Sequence, residues 1–202
     1  MIRLLPERGG WLEVVCGPMF SGKSEELIRR LRRAEIAGQR ALIVKPRIDD
    51  RYDIGHVVSH AGAKMRAVAV TRAEEIPGLA DGYDAVGIDE VQFFPAAIVS
   101  VIETLVARGT RVVAAGLDQD FRGLAFGSLP ELLCRAELVD KLQAVCHRCC
   151  RGPATMTQRL VDGRPAPADG ETIIVGALEQ YEARCRACHE LSPAGVLSAS
   201  AS

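Results

Sequence analysis

"VVCGPMFSGKSEELIRR" fills residues 14–30. Its left half continues an apolar, β-branched run that begins at Trp11 and stops at a glycine, the pattern of a buried strand. Its right half places Leu27, Ile28, Leu31 and Ala34 at helical spacing after Ser24, with Gly38 as a stop just beyond. Between the halves, Gly17, Pro18, Met19, Phe20, Ser21, Gly22, Lys23 and Ser24 fit G-x-x-x-x-G-K-[ST]. Glycines at these positions let successive backbone N–H groups turn inward around phosphate oxygens. The lysine then reaches the outer phosphates and the serine hydroxyl ligates Mg²⁺. The positive end of the following helix adds to the anion site. Only Lys23, Lys45, Lys64 and Lys141 among the 25 basic residues are lysines, so a lysine inside the motif carries extra weight.

Strand and helix patterns alternate onward from the loop. "ALIVK" at 41–45 reads as a second parallel strand, 46–55 as a polar loop, and "AKMRAVAV" at 63–70 as a strand. "TRAEEI" opens like a helix, with Thr71 as cap and Glu74 three residues on. "YDAVGIDE" at 83–90 is an apolar strand ending in two carboxylates. Residues 95–109 read as a helix with proline in its first turn and glycine at its end, and 111–118 as another buried strand. This alternation specifies an α/β fold with a mostly parallel sheet.

The strand-ending acids complement the phosphate loop. Asp89 is the candidate for holding Mg²⁺, and Glu90 for accepting a proton from an attacking hydroxyl or water. Without the loop they would read as two solvated carboxylates. Arg29, Arg30, Arg32 and Arg33 crowd the helix between Glu25/Glu26 and Glu35. A solvated face or an intersubunit contact accounts for them better than a nucleic-acid patch.

The chain has 202 residues, enough for one domain with a small appendage and for burial of roughly 70% of the unfolded surface. With 48% apolar and 25% charged residues it reads as globular and soluble, and a net charge of −1 gives no overall attraction for nucleic acid or an anionic membrane. "MIRLLPERGG" lacks the apolar core of a signal peptide, and no apolar run approaches a membrane span, so a cytoplasmic location is expected.

Seven cysteines, an odd number, argue against a disulfide framework. Cys146/Cys149 and Cys185/Cys188 form two Cys-x-x-Cys pairs that suit a closed, structural tetrahedral zinc site. The excursion between them is longer than in a tight ribbon. His147, His189 and Cys150 are alternative ligands, and two unrelated thiol pairs or a redox pair are the competing account. Cys16 and Cys134 lie in apolar runs and read as small buried residues. The change in character sets the expected units at 1–142 for the α/β domain, 143–192 for the zinc module and 193–202 for a disordered tail. The module includes the Gly/Pro-rich stretch 161–171 and the apolar run 172–178.

Taken in order, "GPMFSGKSEELIRR", "DDRY", "IDEVQFF", "GLDQDFRG…FG" and "VCHRCC…YEARCRACH" resemble the type II thymidine kinases from about residue 11 to 190. The resemblance implies a P-loop core with a RecA-like sheet, a zinc-held lasso over the nucleoside, and a homotetramer. It implies transfer of the γ-phosphate of ATP to the 5′-hydroxyl of thymidine, giving dTMP in pyrimidine deoxynucleotide salvage. ATP, Mg²⁺ and structural Zn²⁺ would be the cofactors and thymidine the partner, with neither nucleic acid nor membrane.

By the same resemblance, residues 17–24 cradle the donor phosphates. Asp89 matches a magnesium-side aspartate, Glu90 the catalytic base, Arg51 a phosphate-neutralising arginine and Asp49 an aspartate near the metal. Phe93 and Phe121 match aromatics flanking the thymine ring; ordinary core packing is the alternative for each. Met19 and Leu117 line that pocket, and Tyr181 matches a nucleoside contact with the same packing alternative. Backbone groups of Ile174, Val175 and Gly176 would meet the base edge. Thr157 would sit near the thymine methyl, with Met156 in its place if the register there slips by one. Many members carry glycine where this chain has Val91.

Two other classes fit a phosphate loop. A nucleic-acid-stimulated ATPase would favour a basic stripe and a larger chain. A guanine-nucleotide switch would carry N-K-x-D, and none of the four lysines sits in one.

Overall fold

Strand β1 (Trp11–Cys16) turns Leu12, Val14 and Cys16 to one side of a sheet and Val15 to the other, all buried. The same two-sided burial recurs in β2 (Ala41–Pro46), which sends Leu42 and Val44 one way and Ile43 the other. Strands covered on both faces read as near-continuous apolar runs because they sit inside a parallel sheet. The computed structural model describes residues 9–47, 56–58, 64–172 and 180–193.

Helix α1 (Lys23–Ile36) follows β1 and buries Leu27, Ile28, Leu31 and Ala34 against one face of the sheet. Beyond β2 come β3 (His56–Val58), β4 (Lys64–Arg66), β5 (Val68–Val70), the short helix α2 (Ile76–Leu79) and β6 (Ala85–Ile88). Helix α3 (Ala97–Ala107) covers the opposite face with Ile98, Val101, Ile102 and Leu105. Strand β7 (Arg111–Gly116), helix α4 (Leu129–Arg135) and strand β8 (Leu138–Lys141) complete the unit. The sheet runs β5-β2-β6-β7-β1-β8, and every pairing in it is parallel. The fold is therefore α/β, as expected. Helix α1 lies close over β6 because residue 87 is glycine. A Cβ there would stand 2.5 Å from Leu31 Cδ1 and 3.0 Å from Leu27 Cδ1.

The remaining strands form small antiparallel sheets: β9 (Ala144–Val145) with β10 (Pro153–Ala154), and β11 (Met156–Val161) between β12 (Arg164–Pro165) and β13 (Gln180–Arg184). Asp162 and Gly163, at φ 50° and 74°, make the two-residue turn from β11 to β12. The turn and β12 lie inside the stretch 161–171 read from sequence as Gly/Pro-rich and polar.

Several local expectations need correction. The run at 63–70 breaks at Ala67: β4 pairs antiparallel with β3, whereas β5 joins the edge of the main sheet. The helix expected from Thr71 and Glu74 is shifted by one. Arg72 caps a 3₁₀ turn, and Glu75, not Glu74, accepts the Arg72 N–H at 2.8 Å. Pro95 precedes α3 rather than opening it, its carbonyl closing a turn with the Ile98 N–H at 3.0 Å. Cys16 is buried as expected, but Cys134 is exposed, because α4 seats Leu129 and Leu132 and turns Cys134 outward.

Arg30 departs furthest from its reading as a solvated side chain. It is 6% exposed and bonds Glu13 at 2.8 Å, Glu26 at 2.8 Å, and Asp140. Glu13, at 1% exposure, also accepts from Trp11 Nε1 at 2.8 Å and Arg111 Nε at 2.7 Å. Burial opposes ionisation of Glu13. The bonds from Arg111 and Trp11 and the nearby Arg30 charge outweigh it and hold the carboxyl below the usual carboxylate range.

Candidate active site

The loop between β1 and α1 leaves the sheet beside the ends of β6 and β7, since β6, β7 and β1 are parallel neighbours. Gly17 at φ 142° and Gly22 at φ 85° take backbone conformations that favour glycine, and Phe20 joins them at φ 64°. A Cβ on Gly17 would stand 2.5 Å from the Leu142 carbonyl oxygen, so the loop starts braced against the chain leaving β8. Lys23 Nζ donates to the Pro18 carbonyl at 2.8 Å, and Ser21 Oγ donates to the same oxygen at 2.8 Å. Burial works against the Lys23 ammonium more than Glu90, Asp89 and Asp118 favour it, so its pKa lies below the ordinary lysine value.

Two carboxylates follow β6. Asp89 is 6% exposed; its Oδ1 accepts from Ser24 Oγ at 3.3 Å and from the Glu90 N–H at 3.1 Å. Burial, then the Glu90 charge, push the Asp89 carboxyl up to about 7. A buried carboxylate with a serine hydroxyl beside it is a hard-oxygen donor pair suited to Mg²⁺, whose charge would reverse that shift. Glu90 sits at φ 51°, ψ 41°, a left-handed backbone uncommon for a non-glycine residue. The turn folds Gln92 back onto it: Gln92 Nε2 donates to Glu90 Oε2 at 2.5 Å, while Gln92 Oε1 accepts the Leu117 N–H at 3.0 Å. Beyond β7, buried Asp118 pairs with Lys141 Nζ at 2.6 Å. Burial, with the Asp118 charge next, pushes the Cys16 thiol up to about 11.

The antiparallel strands reach this loop directly. Thr157, buried on β11, accepts the Met19 N–H on Oγ1 at 3.1 Å. Phe121 is buried with two guanidinium groups against its ring, Arg159 at 5.0 Å and Arg122 at 5.7 Å from the centroid. Its carbonyl bonds His189 Nε2 at 2.8 Å. Phe93 is only half-buried and meets Phe126 edge-on, centroids 5.5 Å apart, while the adjacent Phe94 takes the core position at 4% exposure. Tyr181 lies on β13, opposite Arg159 of β11. Asp49, Arg51, Ile174, Val175 and Gly176 fall outside the described residues.

Cys146, Cys149, Cys185 and Cys188 bring their sulfurs within 4.8 Å of one another, with the Cys149 and Cys185 sulfurs 3.9 Å apart. Tetrahedral zinc with Zn–S bonds of about 2.3 Å places its sulfurs about 3.8 Å apart, so this donor set fits the ion. Burial works against a Cys146 thiolate, but backbone N–H groups of Cys149, Cys185 and Arg148 and the Cys149 thiol outweigh it and draw that thiol down to about 6. The alternative ligands are engaged elsewhere. His189 bonds Phe121, His147 Nε2 lies 3.7 Å from Glu182, and exposed Cys150 bonds the His147 carbonyl at 3.7 Å.

A family model described as thymidine kinase matches residues 10–189, nearly all of the described chain. The chain belongs to the thymidine kinase family. Membership makes it a kinase-type transferase and agrees with the resemblance carried by its five motifs. No helix among the described residues is long and apolar enough to cross a membrane.

Some groups around this candidate site are not legible in the sequence. Gln92 has no motif of its own, and its aim at Glu90 depends on the left-handed turn at residue 90. Phe126 meets Phe93, and Arg159 and His189 meet Phe121, through tertiary packing that no local spacing encodes.

Proposed function

We propose that this chain transfers the γ-phosphate of ATP to the 5′-hydroxyl of thymidine, forming dTMP and ADP in deoxynucleotide salvage. The observation that carries this reading is the bond from Ser24 Oγ of the phosphate loop to Asp89 Oδ1 at 3.3 Å, with Glu90 next along the chain. Phosphoryl transfer asks a protein for positioning, charge neutralisation and one base.

On binding ATP, Lys23 exchanges the Pro18 carbonyl for the outer phosphate oxygens. Ser24 and Asp89 would hold Mg²⁺, which would neutralise charge on the donor phosphates. Asp49 and Arg51 would complete the charge set. Glu90 accepts the proton of the 5′-hydroxyl as its oxygen attacks the γ-phosphorus and ADP leaves. Phe93 and Phe121 flank the thymine, Met19 and Leu117 line the pocket, and Thr157 meets the methyl group. Tyr181 and the backbone of Ile174, Val175 and Gly176 hold the nucleoside from the lid. Cys146, Cys149, Cys185 and Cys188 would hold structural zinc and so pin residues 143–192 as that lid, which would keep water from competing with the nucleoside. A homotetramer of such subunits is the assembly the family resemblance implies.

The test is ADP release from ATP·Mg across a panel of nucleosides and single-stranded DNA. Stimulation by thymidine with dTMP as product is the expected outcome. Stimulation by DNA, with only free phosphate formed, would replace the kinase reading with a nucleic-acid-dependent ATPase.

A further inference from the structure

Gln92 is buried to 3% exposure, and three features fix how it lies. Its Oε1 accepts the Leu117 N–H at 3.0 Å. A backbone N–H can only donate, so the amide has one allowed orientation and its NH₂ must face the other way. That NH₂ meets Glu90 Oε2 at 2.5 Å. Two glycines pack closely against the residue. A Cβ on Gly116, at the end of β7, would stand 2.3 Å from Gln92 Oε1, and one on Gly127 would stand 2.3 Å from the Gln92 carbonyl oxygen. Two glycines on separate segments keep open the space this residue fills. The chain between Glu90 and Gln92 adds a third constraint, because the left-handed residue at 90 turns the two side chains toward one another.

We propose that Gln92 is a positioning residue for phosphoryl transfer. It orients the Glu90 carboxylate by donating an N–H to Oε2, which leaves Oε1 clear of that bond to take the acceptor's proton. This rests on the reading of Glu90 as the base. A carboxylate on a half-buried glutamate otherwise samples several rotamers, and a base is effective only within hydrogen-bond reach of its proton. An amide suits the task because it bonds the carboxylate without competing for the proton. The reaction itself is unchanged: the 5′-oxygen bonds to the γ-phosphorus, the bond from that phosphorus to the bridging oxygen of ADP breaks, and the hydroxyl proton ends on Glu90. Gln92 neither gains nor loses a proton.

The experiment compares wild type, Gln92→Met and Gln92→Glu for kcat, for KM of ATP and thymidine, and for thermal unfolding. Gln92→Met keeps the volume and loses both the donor to Glu90 and the acceptor for the Leu117 N–H. Its kcat should fall on the order of 10-fold, with both KM values within about twofold of wild type. Gln92→Glu keeps the shape and an acceptor for Leu117 but sets a carboxylate against Glu90, so it should be slower still than Gln92→Met. A residue that merely packs would give the reverse order, with the isosteric Gln92→Glu the better enzyme. That order, or a Gln92→Met kcat within twofold of wild type in a folded protein, overturns the proposal. Wild-type protein that forms no dTMP overturns the kinase reading, and this one with it.

Discussion

Lys23 donates its ammonium to the carbonyl of Pro18 at 2.8 Å, five residues back in its own loop. The ammonium is thereby satisfied inside its own loop, and on the proposed reading it would exchange this bond for the donor phosphates. Replacing it with alanine removes the main positive charge from the phosphate site. Lys23→Ala should lower kcat/KM roughly 10³-fold in an ADP-release assay. Activity retained near wild type would remove this loop from the mechanism.

Glu90→Gln keeps the shape of the side chain and removes its basicity. Its kcat should fall by a factor on the order of 10² or more, with ATP affinity nearly unchanged by equilibrium binding. A normal rate would place the base on another residue.

Asp89 ties stability to pH. Burial and the Glu90 charge raise its folded-state carboxyl to about 7, against an ordinary value of 3.8. Between those values the folded chain holds a proton that the unfolded chain has released, so this group's contribution to stability falls as pH rises. In magnesium-free buffer, Asp89→Asn should therefore unfold at a higher temperature than wild type at pH 8, by about 3 °C or more. The gap should narrow toward pH 5. A gap that does not vary with pH would mean that the Asp89 carboxyl titrates alike in both states.

The four-sulfur cluster predicts one zinc per chain by elemental analysis, lost in Cys185→Ser. His189, next to Cys188, bonds the Phe121 carbonyl at 2.8 Å, so loosening the knuckle should disturb Phe121 before it disturbs the phosphate loop. The KM for thymidine should rise on the order of 10-fold, and that for ATP much less. Equal changes in both would argue that the zinc acts on the whole fold.

Arg30 is the shared partner of Glu13, Glu26 and Asp140. Arg30→Met leaves the Glu13 carboxylate buried with Arg111 as its remaining cation. It should cost about 3–5 kcal/mol in urea unfolding. Glu13→Gln in the same chain should recover part of that loss.

The sequence carried the α/β class, the phosphate loop and the four cysteines, because each rests on short-range order. Strand alternation, glycine spacing and paired knuckles all lie within a few residues of chain. Arg30 was misread because the arginines of its helix are flanked by Glu25/Glu26 and Glu35 as on a solvated face; further acids that draw it inward come from β1 and β8. The hairpin at Asp162-Gly163 was hidden by neighbouring prolines and glycines that equally well describe a linker. At Phe93 and Phe94 only three-dimensional packing decides which ring fills the core and which stays half-open.

The bond from the Met19 N–H to Thr157, 138 positions further along, bears on how such a protein can be divided. One amide of the phosphate loop is completed by a hydroxyl from the cysteine-flanked strands, and Gly17 leans on the carbonyl of Leu142. A fragment ending after β8 would retain the whole nucleotide motif yet lack its finishing partner at Met19. The motif is thus a poor cassette for transplantation: carried alone into another α/β scaffold, it would arrive with one amide unanchored.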